Sequence, residues 1–180
     1  MYLMLPCGEF ADGDFNVLAE LLGLLDTKLK DISDRIRHSN DPDADGLCDR
    51  GEYFIGVGFA AMQQYIVSTF TPLEVLKDVA LSIPPIVQGK TTLVHAIHAG
   101  ANYWKHQDEW KLIHVVFRDK EELSKSARLT VQTIETITPW ANYTCSNLLA
   151  ALLPQEPLEL SLLLPKLKEW RRNLHDSYAK

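Results

Sequence analysis

Residues 14–38 read DFNVLAELLGLLDTKLKDISDRIRH. Phe15, Leu18, Leu22, Leu25, Leu29, Ile32 and Ile36 recur there at spacings of 3, 4, 3, 4, 3 and 4. Side chains so spaced share one face of an α-helix, so the stretch predicts a single apolar seam. Asp12 or Asp14 can cap its start by accepting from an unpaired backbone N–H. A seam of this kind belongs in the core of a helical bundle; a dimeric coiled coil is the alternative. No alternating helix and strand units follow along the chain, which argues against a parallel α/β sheet. The fold predicted is all-α: one antiparallel helical bundle of five to seven helices, with residues 1–180 as a single domain.

Outward from this helix the chain alternates loops with further helical patterns. An acidic, glycine-containing loop spans 40–51. The stretch 52–70 is apolar nearly all round, which places it at the centre of a bundle or in a dimer interface. Thr71-Pro72-Leu73-Glu74 has the pattern of a capping box with Pro at the first helical position, and predicts a short helix ending near Ser82. A long helix is predicted over 91–110, capped by Thr91 or Thr92. Residues 111–118, KLIHVVFR, fit either a helix end or a short strand. Asp119 followed by Glu122 predicts another helix over 120–138, closed by Pro139. Pro154, Pro157 and Pro165 break up the C-terminal third, and 166–178 predicts a final amphipathic helix.

Composition narrows the class. The 180 residues carry 18 Lys plus Arg against 24 Asp plus Glu, a formal charge of −6, and 46% are hydrophobic. That mix builds a core and excludes intrinsic disorder. No apolar run approaches the ~18 residues of a membrane span, so no membrane association is expected. The N-terminus lacks the basic region of a signal peptide. Cys7, Cys48 and Cys145 are odd in number and form no CxxC pair, so a cytoplasmic, disulfide-free protein is expected. The negative charge disfavours general binding to a phosphate backbone, though a local basic patch remains compatible with it.

Within the acidic loop, Asp41-Pro42-Asp43-Ala44-Asp45-Gly46-Leu47-Cys48-Asp49-Arg50-Gly51-Glu52 fits the pattern D-x-[DN]-x-[DN]-G-x5-E and resembles an EF-hand calcium loop. The resemblance implies carboxylate ligands from Asp41, Asp43 and Asp45, a carbonyl from Leu47, Asp49 directly or through water, and both oxygens of Glu52. A second such loop does not occur, and Cys48 stands where the family has an aliphatic residue. The resemblance therefore implies a structural Ca2+ clip. An acidic interhelical loop of turn-forming residues is the other reading.

On the 91–110 helix, His95, His98, Asn102, His106 and Glu109 fall within an arc of about 80°, opposite Leu93, Val94, Ile97, Ala101 and Trp104. Imidazoles titrate near neutrality and serve as acid, base or metal ligand. The polar stripe is therefore a candidate catalytic or metal-binding face, and otherwise a solvated one. Ala101-Asn102-Tyr103-Trp104-Lys105-His106, inside a long helix of an all-α chain, resembles the signature region of HEPN-type helical domains. Many of those are dimeric RNases of bacterial toxin and defence systems. The resemblance implies Asn102 and His106 as catalytic residues, with His106 as general acid or base, in a homodimer that binds or cleaves RNA. Ala101 stands where the family has Arg, so the charge stabiliser for the phosphate is missing.

The remaining features are weaker. Gly89-Lys90-Thr91-Thr92 resembles the end of a phosphate-binding loop, but Pro84 occupies the required Gly position, so a loop feeding a helix cap is expected and no nucleotide cofactor. Lys166, Lys168, Arg171, Arg172 and Lys180 make the C-terminal helix the one basic zone, read as a solvated face. Two functions stand open from sequence: a HEPN-like protein that binds or cleaves RNA, and a non-enzymatic helical module, calcium-clipped, that binds another protein. A cluster of basic side chains around His106 would favour the first.

Overall fold

The computed structural model describes residues 2–5, 7, 9–110, 123–139 and 142–178. Among the described residues, seven α-helices carry the fold: α1 Gly13–His38, α2 Leu47–Phe70, α3 Lys77–Ser82, α4 Leu93–His106, α5 Lys125–Glu135, α6 Thr144–Leu152 and α7 Leu164–Tyr178. The fold is all-α, as predicted, and its described helices already reach the upper end of the predicted number. Among the described residues, four short strands form two antiparallel pairs that sequence patterning did not reveal. β1 (Tyr2–Met4) pairs with β2 (Phe10–Asp12), with Leu3 opposite Ala11. β3 (Ile86–Gln88) pairs with β4 (Thr91–Thr92), with Ile86 opposite Thr92.

The α1 seam behaves as its spacing dictates as far as Ile32, and its last member, Ile36, is only partly buried near the helix end. Phe15, Leu18, Leu22, Leu25, Leu29 and Ile32 are buried, and Asp12 caps the helix by accepting from the Phe15 N–H at 3.0 Å. α2 is the central helix, packed against α1, α4 and α6. Its apolar surroundings are met within one chain: Ile55, Phe59, Met62 and Ile66 are fully enclosed. The bundle closes through α7, whose buried Trp170 donates from Nε1 to the Ala80 carbonyl of α3 at 3.0 Å.

Several predicted boundaries move, each for a local reason. α2 starts five residues early, at Leu47, because Gly46 takes a left-handed conformation (φ 64°) and turns the acidic loop directly into the helix. Thr71 opens no helix. Its Oγ1 donates to the Val67 carbonyl at 2.7 Å, so it closes α2, and a 3-10 turn over Thr71–Leu73 follows. Glu74 sits at φ 55°, unable to complete a capping box, and α3 begins only at Lys77. Thr91 and Thr92 belong to β4, and the Thr92 Oγ1 caps α4 by accepting from the His95 N–H at 3.1 Å. The Gly89–Thr92 segment is therefore a hairpin feeding a cap. Pro165 does not break the last helix; it lies in the first turn of α7, where an absent N–H costs nothing. α5 is capped by Ser124, and the predicted cap at Asp119, like residues 111–118, lies outside the described residues.

Arg171 corrects the reading of the C-terminal helix as a solvated basic face. It is buried, and its Nη1 donates to Asp12 Oδ2 at 2.5 Å while Tyr65 donates its hydroxyl to the same oxygen at 2.8 Å. The guanidinium also lies over the Phe10 ring, 4.4 Å from its centroid. One carboxylate thus caps α1 and ties β2, α2 and α7 together. A second buried carboxylate, Asp26, accepts from the backbone N–H groups of Leu160 and Ser161 at 2.6 and 3.0 Å. It caps the 3-10 turn Leu160–Leu163 from across the bundle.

Candidate functional site

The histidine stripe runs along α4 at the seam between α2 and α5. On one flank Gln63 of α2 donates from Nε2 to Asn102 Oδ1 at 2.9 Å and to the His98 carbonyl at 3.3 Å. On the other flank Thr133 of α5 lies with Oγ1 3.4 Å from His95 Nε2. Lys105 donates to Gln63 Oε1 at 2.6 Å, so this cation beside the stripe is directed at an amide of α2.

Asn102 lies 3.1 Å from His98, with its Nδ2 toward the ring Nδ1. Because Asn102 Oδ1 already accepts from Gln63, the amide nitrogen is the donor, and His98 Nδ1 must carry a lone pair. The charge state agrees. Burial, then the positive charges of Lys77 and Lys105, push the His98 pKa down to about 4. His95 is also shifted down, first by burial. At neutral pH these two rings are uncharged, and His98 works as a hydrogen-bond acceptor within the helix packing.

His106 stands apart from this network. Its Nδ1 lies 3.0 Å from Glu109 Oε2, with side-chain exposures of 38% and 72%. Its ring stacks on Trp110, with centroids 5.3 Å apart and planes at 27°. So the structure brings Asn102 together with His98, Gln63 and Lys105, and pairs His106 with Glu109 and Trp110. Ala101, at the position of the HEPN arginine, is fully buried. An arginine there would project into the core. Trp104, expected in the core, is only half-buried: it meets Tyr53 edge-on at 5.4 Å and lies over Gly56, where any Cβ would fall 2.0 Å from the indole Cδ1.

The acidic loop directs its carboxylates to several places. Asp41 Oδ1 accepts from the Ala44 N–H at 3.0 Å, and Asp45 Oδ2 from the Ser39 hydroxyl at 2.6 Å. Asp43 accepts from the hydroxyl of Tyr143. Glu52 points away from the loop altogether: Oε1 accepts from the Cys145 N–H at 2.7 Å, and Oε2 from the Ser146 N–H and hydroxyl at 2.8 and 2.7 Å. Glu52 thus caps α6, whose own N-cap residue, Tyr143, contributes no side-chain bond. Leu47 is buried at the start of α2, and Asp49 lies in its first turn. The negative loop leaves its mark on neighbours. The hydrogen bond to Asp43 raises the Tyr143 pKa, and burial followed by Asp43, Asp49 and Asp41 raises that of Cys48. Among the described residues, no three His, Cys, Asp or Glu side chains are gathered in a form that could hold a metal ion.

Sequence reasoning missed the long-range roles of Glu52, Asp26 and the Asp12–Arg171 pair. The one signal available for Glu52 was a helix start at 143–146 with no capping side chain in the N-cap position. No protein-family model, curated protein or solved structure matches the chain. No helix among the described residues is long and apolar enough to cross a membrane.

Proposed function

We propose that the chain is a non-enzymatic helical interaction module that binds another protein through the α4 seam and the His106–Glu109–Trp110 cluster at its end. The observation that carries this reading is the chemistry around His106. Its described partners are a carboxylate and an indole, while Lys105 is held by Gln63. A phosphodiester would need cations there to stabilise its developing charge. A half-buried tryptophan beside exposed charge is instead the composition of protein-binding hot spots. The test is affinity purification from the native host with wild type and Glu109→Lys, a charge reversal at an exposed site. A partner retained by wild type and lost by the variant, at an unchanged melting temperature, supports the reading; equal retention by both overturns it.

A HEPN-like role in RNA binding or cleavage, within a bacterial defence or toxin system, is the second reading. One observation favours it: Glu109 holds His106 Nδ1, which leaves Nε2 as the position for acid or base chemistry. His106→Ala should leave folding intact. Loss of single-stranded RNA binding or cleavage in that variant would put RNA first. No RNA signal from the wild type would remove this reading.

The module reading includes a homodimer, a reducing cytoplasmic setting that suits three free thiols, and a calcium clip in the acidic loop. For the clip, the clustered negative charge of Asp41, Asp43, Asp45 and Asp49 is the support, and Glu52 would have to leave α6 to complete the set. Titration of the chelator-stripped protein should give one binding heat that Asp41→Ala abolishes. No heat at millimolar calcium would leave the loop as a connector docked on Tyr143.

A further inference from the structure

We propose that the cavity between β2, the start of α1 and α7 is a binding site for a small zwitterion, a free α-amino acid with an uncharged side chain. It shares no residue with the α4 seam and stands independently of the reading above. The cavity holds about 500 Å³, within the range of small-molecule sites. Its enclosed part is aromatic. Phe15 is buried and Phe10 half-buried, and the Arg171 guanidinium lies 5.3 and 4.4 Å from their ring centroids. Asp12 and Arg171 also line the cavity, but as a buried ion pair they neutralise each other.

The remaining charges select the ligand. Glu9, Lys168, Glu169 and Arg172 all line the cavity and are all exposed. Although both signs face the same space, none of the four is in an ion pair among the described residues. Lys168 is instead turned onto the Phe15 ring, with its Nζ 5.1 Å from the centroid, so the ring fixes an ammonium at the enclosed side. Arg172 follows four residues later on the same face of α7. A simple anion would meet the two carboxylates here, and a simple cation the two basic groups, each at a Coulomb cost. A molecule that carries both charges on a short body meets an opposite partner at either end. Its carboxylate lies at Lys168 and Arg172, and its ammonium at Glu9 and Glu169. The exposed amide of Asn16, also on the lining, offers one donor group and one acceptor.

The experiment titrates the full chain calorimetrically with each coded amino acid at up to millimolar concentration. At least one with an uncharged side chain should give a saturable heat and raise the melting temperature. Its N-acetyl and its carboxamide derivatives, each lacking one charge, should bind about tenfold or more weakly, the loss expected for charge-assisted hydrogen bonds. Arg172→Ala and Glu9→Gln should each weaken the parent amino acid by a similar factor. Both residues are exposed, so the melting temperature of the ligand-free variants should match wild type. No binding by any amino acid would overturn the proposal. A derivative that binds as well as its parent would show that the missing charge is not read, and would overturn the zwitterion. Binding indifferent to both Arg172→Ala and Glu9→Gln would place the ligand elsewhere and overturn this cavity as the site.

Discussion

Asp12→Ala is expected to lower the unfolding free energy by about 3–5 kcal/mol, the range for breaking a buried ion pair by removing one partner. Three losses coincide. The Phe15 N–H loses its cap acceptor, the Tyr65 hydroxyl loses its acceptor, and the Arg171 guanidinium loses the carboxylate opposite it. Both charged side chains are nearly enclosed, at 4% exposure for Asp12 and 6% for Arg171, so water cannot replace the missing group. Tyr65→Phe removes the hydroxyl's bond to Asp12 and the longer one, 3.4 Å, that it accepts from Arg171 Nη1, and should cost about 1–2 kcal/mol. Asp12→Asn keeps an oxygen for the cap and should fall between the two. Urea denaturation of the three variants checks the order. Equal losses for Tyr65→Phe and Asp12→Ala would mean that the buried charge pair contributes little.

The same residues show where sequence is legible and where it stops. The α1 seam was readable, and the Asp12 and Thr92 caps were each readable as one of two neighbouring candidates, because periodicity and capping act within a few residues along the chain. The central place of α2 was readable because a helix apolar nearly all round has nowhere else to go. The pairing of Asp12 with Arg171 spans 159 positions, and that of Glu52 with Ser146 spans 94. No local pattern encodes such partners. Arg171 sits in a run of basic residues and looks solvated until the helix is docked. Thr71 shows the reverse error: Thr-Pro-Leu-Glu satisfies the start of one helix, yet a Thr hydroxyl bonds a preceding carbonyl equally well and closes another. His95, His98, Asn102 and His106 lie on α4, which ends at His106 and leaves Glu109 in the turn beyond it, and the inward contacts of Asn102 and His98 are set by Gln63, on a different helix.

Glu52 is the sharpest conflict between a motif and a fold. In the loop pattern it is the closing calcium ligand; in the structure its two oxygens accept three hydrogen bonds from Cys145 and Ser146. Acceptors at a helix N-terminus meet unpaired N–H groups and the positive end of the helix dipole, so a carboxylate is well suited there. Glu52→Ala should therefore destabilise the protein by about 2–3 kcal/mol, the sum expected for a lost cap and charge-assisted bonds. Glu52→Gln keeps one accepting oxygen and should cost less. Hydrogen exchange adds the location: the amides of Cys145 and Ser146 should lose protection in Glu52→Ala, while those of α1 keep it. Calcium separates the two roles. If Glu52 acts only as a cap, its substitution costs the same stability with chelator or with millimolar calcium. If it also closes a calcium site, calcium raises the wild-type melting temperature by binding the folded state, and Glu52→Gln removes that rise. An Ala variant as stable as wild type in chelator, with unchanged exchange at Cys145 and Ser146, would show that α6 holds its start without Glu52.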